Sequence, residues 1–188
     1  RNYTNGESHS HLVLLCENMT GYKNLIHMVS CGFSEGFYVK PRIDIELLRE
    51  HSEGLICLSA CLAGAIPRAL SVGNMNRARE LCNEFLSIFD REHFYLEIQD
   101  HGIKEQQIVN EGLYQLSKEL NIDLVATNDA HYLTKEDAHI QDVCWRFRPE
   151  KPLMIQLVCV LKRRSFTSKA KKKWQVCSRN TRKRSQTP

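Results

Sequence analysis

Three short segments of this 188-residue chain carry side chains able to hold a metal ion. Asn128-Asp-Ala-His131 sets a carboxylate, Asp129, and an imidazole, His131, two residues apart. Gln99-Asp-His-Gly102 supplies a second imidazole, His101, and Ala60-Cys-Leu-Ala-Gly64 supplies a thiol, Cys61. Imidazole, carboxylate and thiolate together suit zinc, or manganese at the more oxygen-rich positions. Ions held in this way can activate water and grip the phosphoryl oxygens of a phosphoester. Asn-Asp after a strand is equally the chemistry of an ordinary turn, and for each segment taken alone that reading stays open.

The elements behind these segments argue for a common site. Leu124-Val-Ala126 is a short apolar run of the kind buried in parallel sheets. His93-Phe-Tyr-Leu-Glu-Ile98 and Gly54-Leu-Ile-Cys-Leu-Ser59 are β-rich runs that end in the other two segments. Helical stretches lie between them, so the strands are expected to be parallel with their C-terminal ends on one face. That face is where α/β folds build their sites. Thr20 is expected to cap a helix with Tyr22, Leu25, Ile26 and Val29 on its apolar side. Met75 to Phe89 places Ala78, Leu81, Cys82, Phe85 and Leu86 on one face. Glu105 to Leu120 does the same with Ile108, Leu113, Leu116 and Leu120, and Asn121 stops it. Thr134-Lys-Glu-Asp137 reads as a capping-box-like start, and Pro41 and Pro67 mark a loop or the start of a helix.

A series of longer motifs identifies a resemblance. In order they are His11-Leu-Val-Leu-Leu15, Thr20-Gly-Tyr-Lys-Asn-Leu25, Glu35-Gly-Phe-Tyr38 and Lys40-Pro-Arg-Ile-Asp44. Gly54-Leu-Ile-Cys-Leu-Ser-Ala-Cys-Leu-Ala-Gly64, Tyr95-Leu-Glu-Ile-Gln-Asp-His-Gly102 and Val125-Ala-Thr-Asn-Asp-Ala-His-Tyr132 follow. From about His11 to Val143 the chain resembles the N-terminal polymerase-and-histidinol-phosphatase (PHP) domain of the bacterial DNA polymerase III alpha subunit. The resemblance implies an α/β fold, part of a distorted (β/α)7 PHP barrel with a multi-metal site in its mouth. Cys61, His101, Asp129 and His131 would then be four of a larger ligand set. The remaining ligands and the N-terminal strands would precede Arg1, so the chain is expected to be a fragment with open sheet edges and poor solubility.

His9-Ser-His11 has the His-x-His shape of the family's first metal motif. It precedes a strand instead of following one, and the residues after it match a later family segment. His9 and His11 are therefore read as solvated loop histidines. His27 is expected within a helix, and His51, His93 and His139 on the surface without a partner at useful spacing.

Composition divides the chain. Residues 144–188 hold 14 Lys+Arg and one acid, Glu150, while residues 1–143 hold 12 Lys+Arg and 21 acids, so the formal charges are +13 and −9. The first part is expected to be a partial PHP domain, too acidic to bind nucleic acid by charge alone. The second would ordinarily be a disordered nucleic-acid arm. Read one base off, however, Val143-Cys-Trp-Arg-Phe-Arg-Pro-Glu-Lys151 can spell Leu-Leu-Ala-Ile-Gln-Thr-Gly-Lys, which resembles the family's continuation. Thr181-Arg-Lys-Arg-Ser-Gln-Thr-Pro188 can, with permitted codons, conceal an Ala- and Glu-containing run in the same frame. The tail is thus expected to be an out-of-frame, disordered product of one missing base. Its longest apolar stretch, Leu153 to Leu161, is too short to span a bilayer, and no signal peptide stands at the start. Eight cysteines without a Cys-x-x-Cys pair suit a reducing compartment, the cytoplasm.

By resemblance, the parent protein is a DNA-directed DNA polymerase acting on DNA and deoxynucleoside triphosphates with magnesium. Its partners would be other polymerase III holoenzyme subunits, with no membrane involved. Its catalytic carboxylates would lie downstream of this region. The PHP site, holding zinc or manganese, would serve as a phosphoesterase or 3′–5′ exonuclease, or hold the domain together. The alternatives are a stand-alone PHP phosphoesterase and a structural replisome-interaction module.

Overall fold

A computed structural model describes residues 9–37 and 40–146. The order of elements is β1 (Val13–Cys16), α1 (Met19–Ser34), α2 (Ile45–Glu50), β2 (Leu55–Leu58), α3 (Ala65–Ser71), α4 (Met75–Ile88), β3 (Phe94–Ile98), α5 (Lys104–Leu120), β4 (Leu124–Ala126) and α6 (Ala138–Arg146). A 3-10 turn, Lys135–Asp137, precedes α6. The four strands form one sheet in the order β1-β2-β3-β4. The parallel arrangement expected of the central strands is present between β2 and β3, whereas β1 runs antiparallel to β2. The fold is mixed α/β, as the sequence implies.

Two compact units divide the described residues. One comprises the residues up to Ile98 together with Ile108–Val125; the other comprises Gln99–Gln107 and the residues from Ala126 onward. The first holds a contiguous core in which Cys57, Phe94 and Leu96 of the sheet pack with Ala78, Cys82 and Phe85 of α4 and Val109, Leu113 and Leu116 of α5. Phe85 and Phe94 meet as a tilted aromatic pair with ring centroids 5.5 Å apart and planes 31° off parallel, within the roughly 4.5–7 Å over which aromatic pairs attract.

Several elements depart in detail from expectation. Asn18, not Thr20, caps α1: its side chain accepts from the Gly21 N–H at 3.0 Å. The buried side of α1 carries Gly21, Met28 and Gly32, while Tyr22, Ile26 and Val29 are about half exposed. Apolar residues stand on more than one side of this helix, so spacing alone does not select the inward side; the two glycines do, because they allow close approach. On α5 the core position is Val109, and Ile108 is exposed. Asn121 ends that helix in a left-handed conformation with φ 52°, and the Ile122 N–H returns to the Ser117 carbonyl, the wrap expected of a helix C-terminus. Cys57 and Cys82 are buried, but Cys16 is exposed. The sequence-derived boundary at 143/144 falls inside α6, and residues 147–188, including most of the basic tail, lie outside the described residues.

Candidate metal centre

Each of the three metal-competent segments follows a strand, and each contains a residue in the left-handed region. Ala60 has φ 65°, Gly102 φ 66° and Asp129 φ 41°. An L-residue there costs about 1–2 kcal/mol, and such strain collects where a turn must aim a side chain at a site. Ala60 is also buried, so solvent is not what draws it into that conformation. The sharp turn after β2 presents Cys61 at a half-buried position.

In the first unit, Cys61 has a neighbour. The His11 N–H bonds to the Ala63 carbonyl at 3.0 Å, and His11 bridges to Gly64 in parallel. This sets the His11 Nδ1 3.7 Å from the Cys61 Sγ. With Zn–S and Zn–N bonds of ordinary length, tetrahedral coordination separates sulfur and nitrogen by about 3.6 Å. His11 is exposed, as expected, yet it does not stand in a detached loop. Nothing in its local sequence marks it, because its partner lies fifty residues away.

In the second unit, His101 is buried. Its Nε2 donates to the Asn128 carbonyl at 2.7 Å, which places the ring proton on Nε2 and the lone pair on Nδ1. A backbone carbonyl on one ring nitrogen is the usual support for a histidine that ligates through the other. The His131 Nδ1 donates to the Asp129 carbonyl at 2.8 Å, which puts the ring proton on Nδ1 and the lone pair on Nε2. The Gln99 side chain donates to the Thr127 hydroxyl at 3.2 Å, tying the residue after β3 to the residue after β4. Thr134 and Asp137 close the turn before α6, the Thr134 N–H and hydroxyl both donating to the Asp137 carboxylate.

Among the described residues, no group of three or more His, Cys, Asp or Glu side chains is placed so that it could hold a metal ion. The structure brings Cys61 to His11 in one unit, and His101, Asp129 and His131 belong to the other. The donor chemistry fits a metal: a thiol, imidazoles with assigned lone pairs, and a carboxylate.

A separate cavity of about 530 Å³ opens in the first unit at the N-terminal ends of β2 and β3, lined by Glu17, Ile56, Arg91, His93, Tyr95 and Asp123 among others. His93, expected to be unpartnered, is held between two acids there, its Nδ1 2.6 Å from Asp90 and its Nε2 3.3 Å from Glu17. The hydrogen bond to Asp90 raises the His93 pKa, with the Asp90 and Glu17 charges adding to it. The same hydrogen bond lowers that of Asp90. His27 lies in α1, as expected, and its ring stacks on His51. The exposed His139 turns its Nδ1 to the Glu136 carbonyl. No helix among the described residues is long and apolar enough to cross a membrane.

The PHP domain family matches residues 2–101. The DNA polymerase III subunit alpha of Borreliella burgdorferi is 48% identical over 138 residues, covering 73% of this chain and 12% of the relative. The subunit alpha of Treponema pallidum is 44% identical over 141 residues, 75% of this chain and 12% of the relative. That of Thermus aquaticus is 47% identical over 133 residues, 71% of this chain and 11% of the relative. The chain therefore spans about an eighth of the length of these relatives. With a match over more than half its length, the chain belongs to the PHP domain family.

Proposed function

We propose that this chain serves as the PHP domain of a replicative DNA polymerase III alpha subunit. The observation that carries the proposal is the 48% identity over 138 residues to such a subunit, together with undecayed donors at all three strand ends. Template-directed DNA synthesis from deoxynucleoside triphosphates, with magnesium, would be the work of the parent protein. DNA and the other holoenzyme subunits would be its partners.

Within the domain, Cys61, His101, Asp129 and His131 are proposed as metal ligands, and the contact to Cys61 adds His11. When bound, zinc or manganese would supply Lewis acidity toward a phosphoester and lower the pKa of a coordinated water. The chain's own part is to hold the ligating atoms ready. The Asn128 carbonyl fixes the His101 tautomer, the Asp129 carbonyl fixes that of His131, and the Ala60 turn directs the thiol. A phosphoesterase or 3′–5′ exonuclease role follows if water and phosphate reach the ion, and a stabilising role follows if they do not.

The test is metal content and hydrolysis measured side by side on the purified chain. Wild-type protein and His131→Ala would be dialysed against zinc or manganese, then given a single-stranded oligonucleotide labelled to report loss of its 3′ end. Bound metal with hydrolysis that His131→Ala abolishes supports the catalytic role. Bound metal without hydrolysis supports the stabilising role. Failure of wild-type protein to retain either metal sinks the site assignment.

A further inference from the structure

The cavity at the N-terminal ends of β2 and β3 stands apart from the strand exits that carry the metal donors, and its walls come from distant parts of the chain. Glu17, directly after β1, forms one wall, and His93, at the entrance to β3, forms another. The charged and titratable groups around the His93 ring are Asp90, Arg91 and Glu92 in the turn before β3, Tyr95 on β3, Glu17, and Asp123 before β4. Two of them meet the ring: Asp90 lies 2.6 Å from Nδ1 and Glu17 3.3 Å from Nε2. Arg91 turns its guanidinium to the Leu120 and Asn121 carbonyls, and the Tyr95 hydroxyl donates to the Glu92 carbonyl.

We propose that His93 is a proton-controlled strap, fastening the end of β1 to the start of β3 across this cavity while both ring nitrogens carry a proton and letting Glu17 go when one is lost. A neutral imidazole has a single N–H, so it donates to only one of two carboxylates, and its other nitrogen turns a lone pair toward a negative oxygen. The two contacts are unequal. The Asp90 carboxylate is close and locally held, since it also accepts from the Glu92 N–H at 2.9 Å and the His93 N–H at 3.0 Å. The Glu17 side chain is half exposed and its contact is longer. The proton that leaves is therefore the one on Nε2, and the contact broken is the one joining distant segments. The hydrogen bond to Asp90, with the Asp90 and Glu17 charges adding to it, raises the His93 pKa. The strap is thus closed in mildly acidic solution, around the ordinary imidazole value of about 6.5, and opens as pH rises through the higher folded value. What holds Glu17 afterwards is its backbone N–H, 2.9 Å from the Gly54 carbonyl at the end of the terminal strand.

The test is an NMR pH titration of the full, unsubstituted chain in low salt, reading the His93 ring and the Glu17 amide together. Nitrogen shifts are expected to show both ring nitrogens protonated in mild acid and Nε2 losing its proton first. Cross-peaks between the Glu17 methylene protons and the ring should fade over the same pH range. Hydrogen-exchange protection of the Glu17 amide, taken relative to that of Ser59 just past β2, should fall about two- to fivefold, the worth of a part-exposed charge pair. Glu17→Gln should abolish that pH dependence, because a side-chain amide can accept from a protonated ring or donate to a bare Nε2. A ring that keeps its Nε2 proton and sheds the one on Nδ1 overturns the proposal. So does Glu17 protection that stays level in the unsubstituted chain while His93 titrates. A Glu17→Gln chain with the full pH dependence is equally fatal, and should that variant not fold, the first two readouts still decide.

Discussion

His93 shows how a residue's chemistry depends on neighbours that spacing hides. Asp90 is three residues upstream and Glu17, directly after β1, is distant in sequence, yet both reach its ring. The hydrogen bond to Asp90 raises the His93 pKa and lowers that of Asp90. The raised histidine contributes stability that is fully present below its ordinary pKa near 6.5 and is lost as pH rises through its folded value. The depressed acid contributes stability present above its ordinary value and lost as pH falls through its folded value. The pair is therefore most stabilising in mildly acidic solution. Both side chains are partly exposed, which keeps the effect small. An NMR titration should show His93 retaining its proton to higher pH than a free imidazole, and Asp90→Asn should bring the midpoint down. An unchanged midpoint in Asp90→Asn would remove the hydrogen bond as the cause. That His101, Asp129 and Cys61 come just after strands was legible in the sequence, because each follows an apolar run. His11 was not, because its meeting with Cys61 is made by β1 pairing with β2 and leaves no local trace.

The elements were legible where periodicity is long and ambiguous where it is not. Helix α4 runs Met75–Ile88, within a residue of the expected span, because fourteen residues with one apolar face leave little freedom of phase. Adjacent Ile108 and Val109 are equally apolar, so phase on α5 was fixed only by packing, which buries Val109. Helix α2 is six residues long, too short to show a period, and went unread; Asp44 caps it, its side chain accepting from the Leu47 N–H at 2.9 Å. The approach of α1 to the start of β2 has a cause that no pattern reveals. A Cβ on Gly21 would lie 1.8 Å from the Gly54 carbonyl oxygen, and Gly54 itself sits at φ 72°. Helix and strand meet backbone to backbone, and neither side can yield as a flexible side chain would. Gly21→Ala is expected to cost about 3 kcal/mol through overpacking, measured as a lowered denaturation midpoint. A cost below about 0.5 kcal/mol, the range of neutral surface changes, would mean that the contact is not tight in solution.

For the chain as a molecule, the decisive quantity is apolar surface without a partner among the described residues. Met19, Tyr22, Ile26, Val29 and Phe33 repeat at three and four along α1, and each is between 48% and 65% exposed. That spacing is a helix-packing seam. Leu15, on the terminal strand β1, is 48% exposed as well, and a terminal strand offers backbone groups for pairing with another chain. A contiguous apolar face of this kind on a soluble domain drives association, and the −9 charge of residues 1–143 opposes it only weakly once salt screens charges beyond a Debye length. The isolated chain is expected to self-associate, more strongly at high salt. Ile26→Lys with Val29→Glu should reduce that association without loss of helix content, because both side chains point away from the core. Sedimentation velocity at two salt concentrations, with circular dichroism on the same samples, separates the contributions. A monodisperse wild-type monomer that unfolds reversibly in one cooperative step would show that these faces carry no such liability.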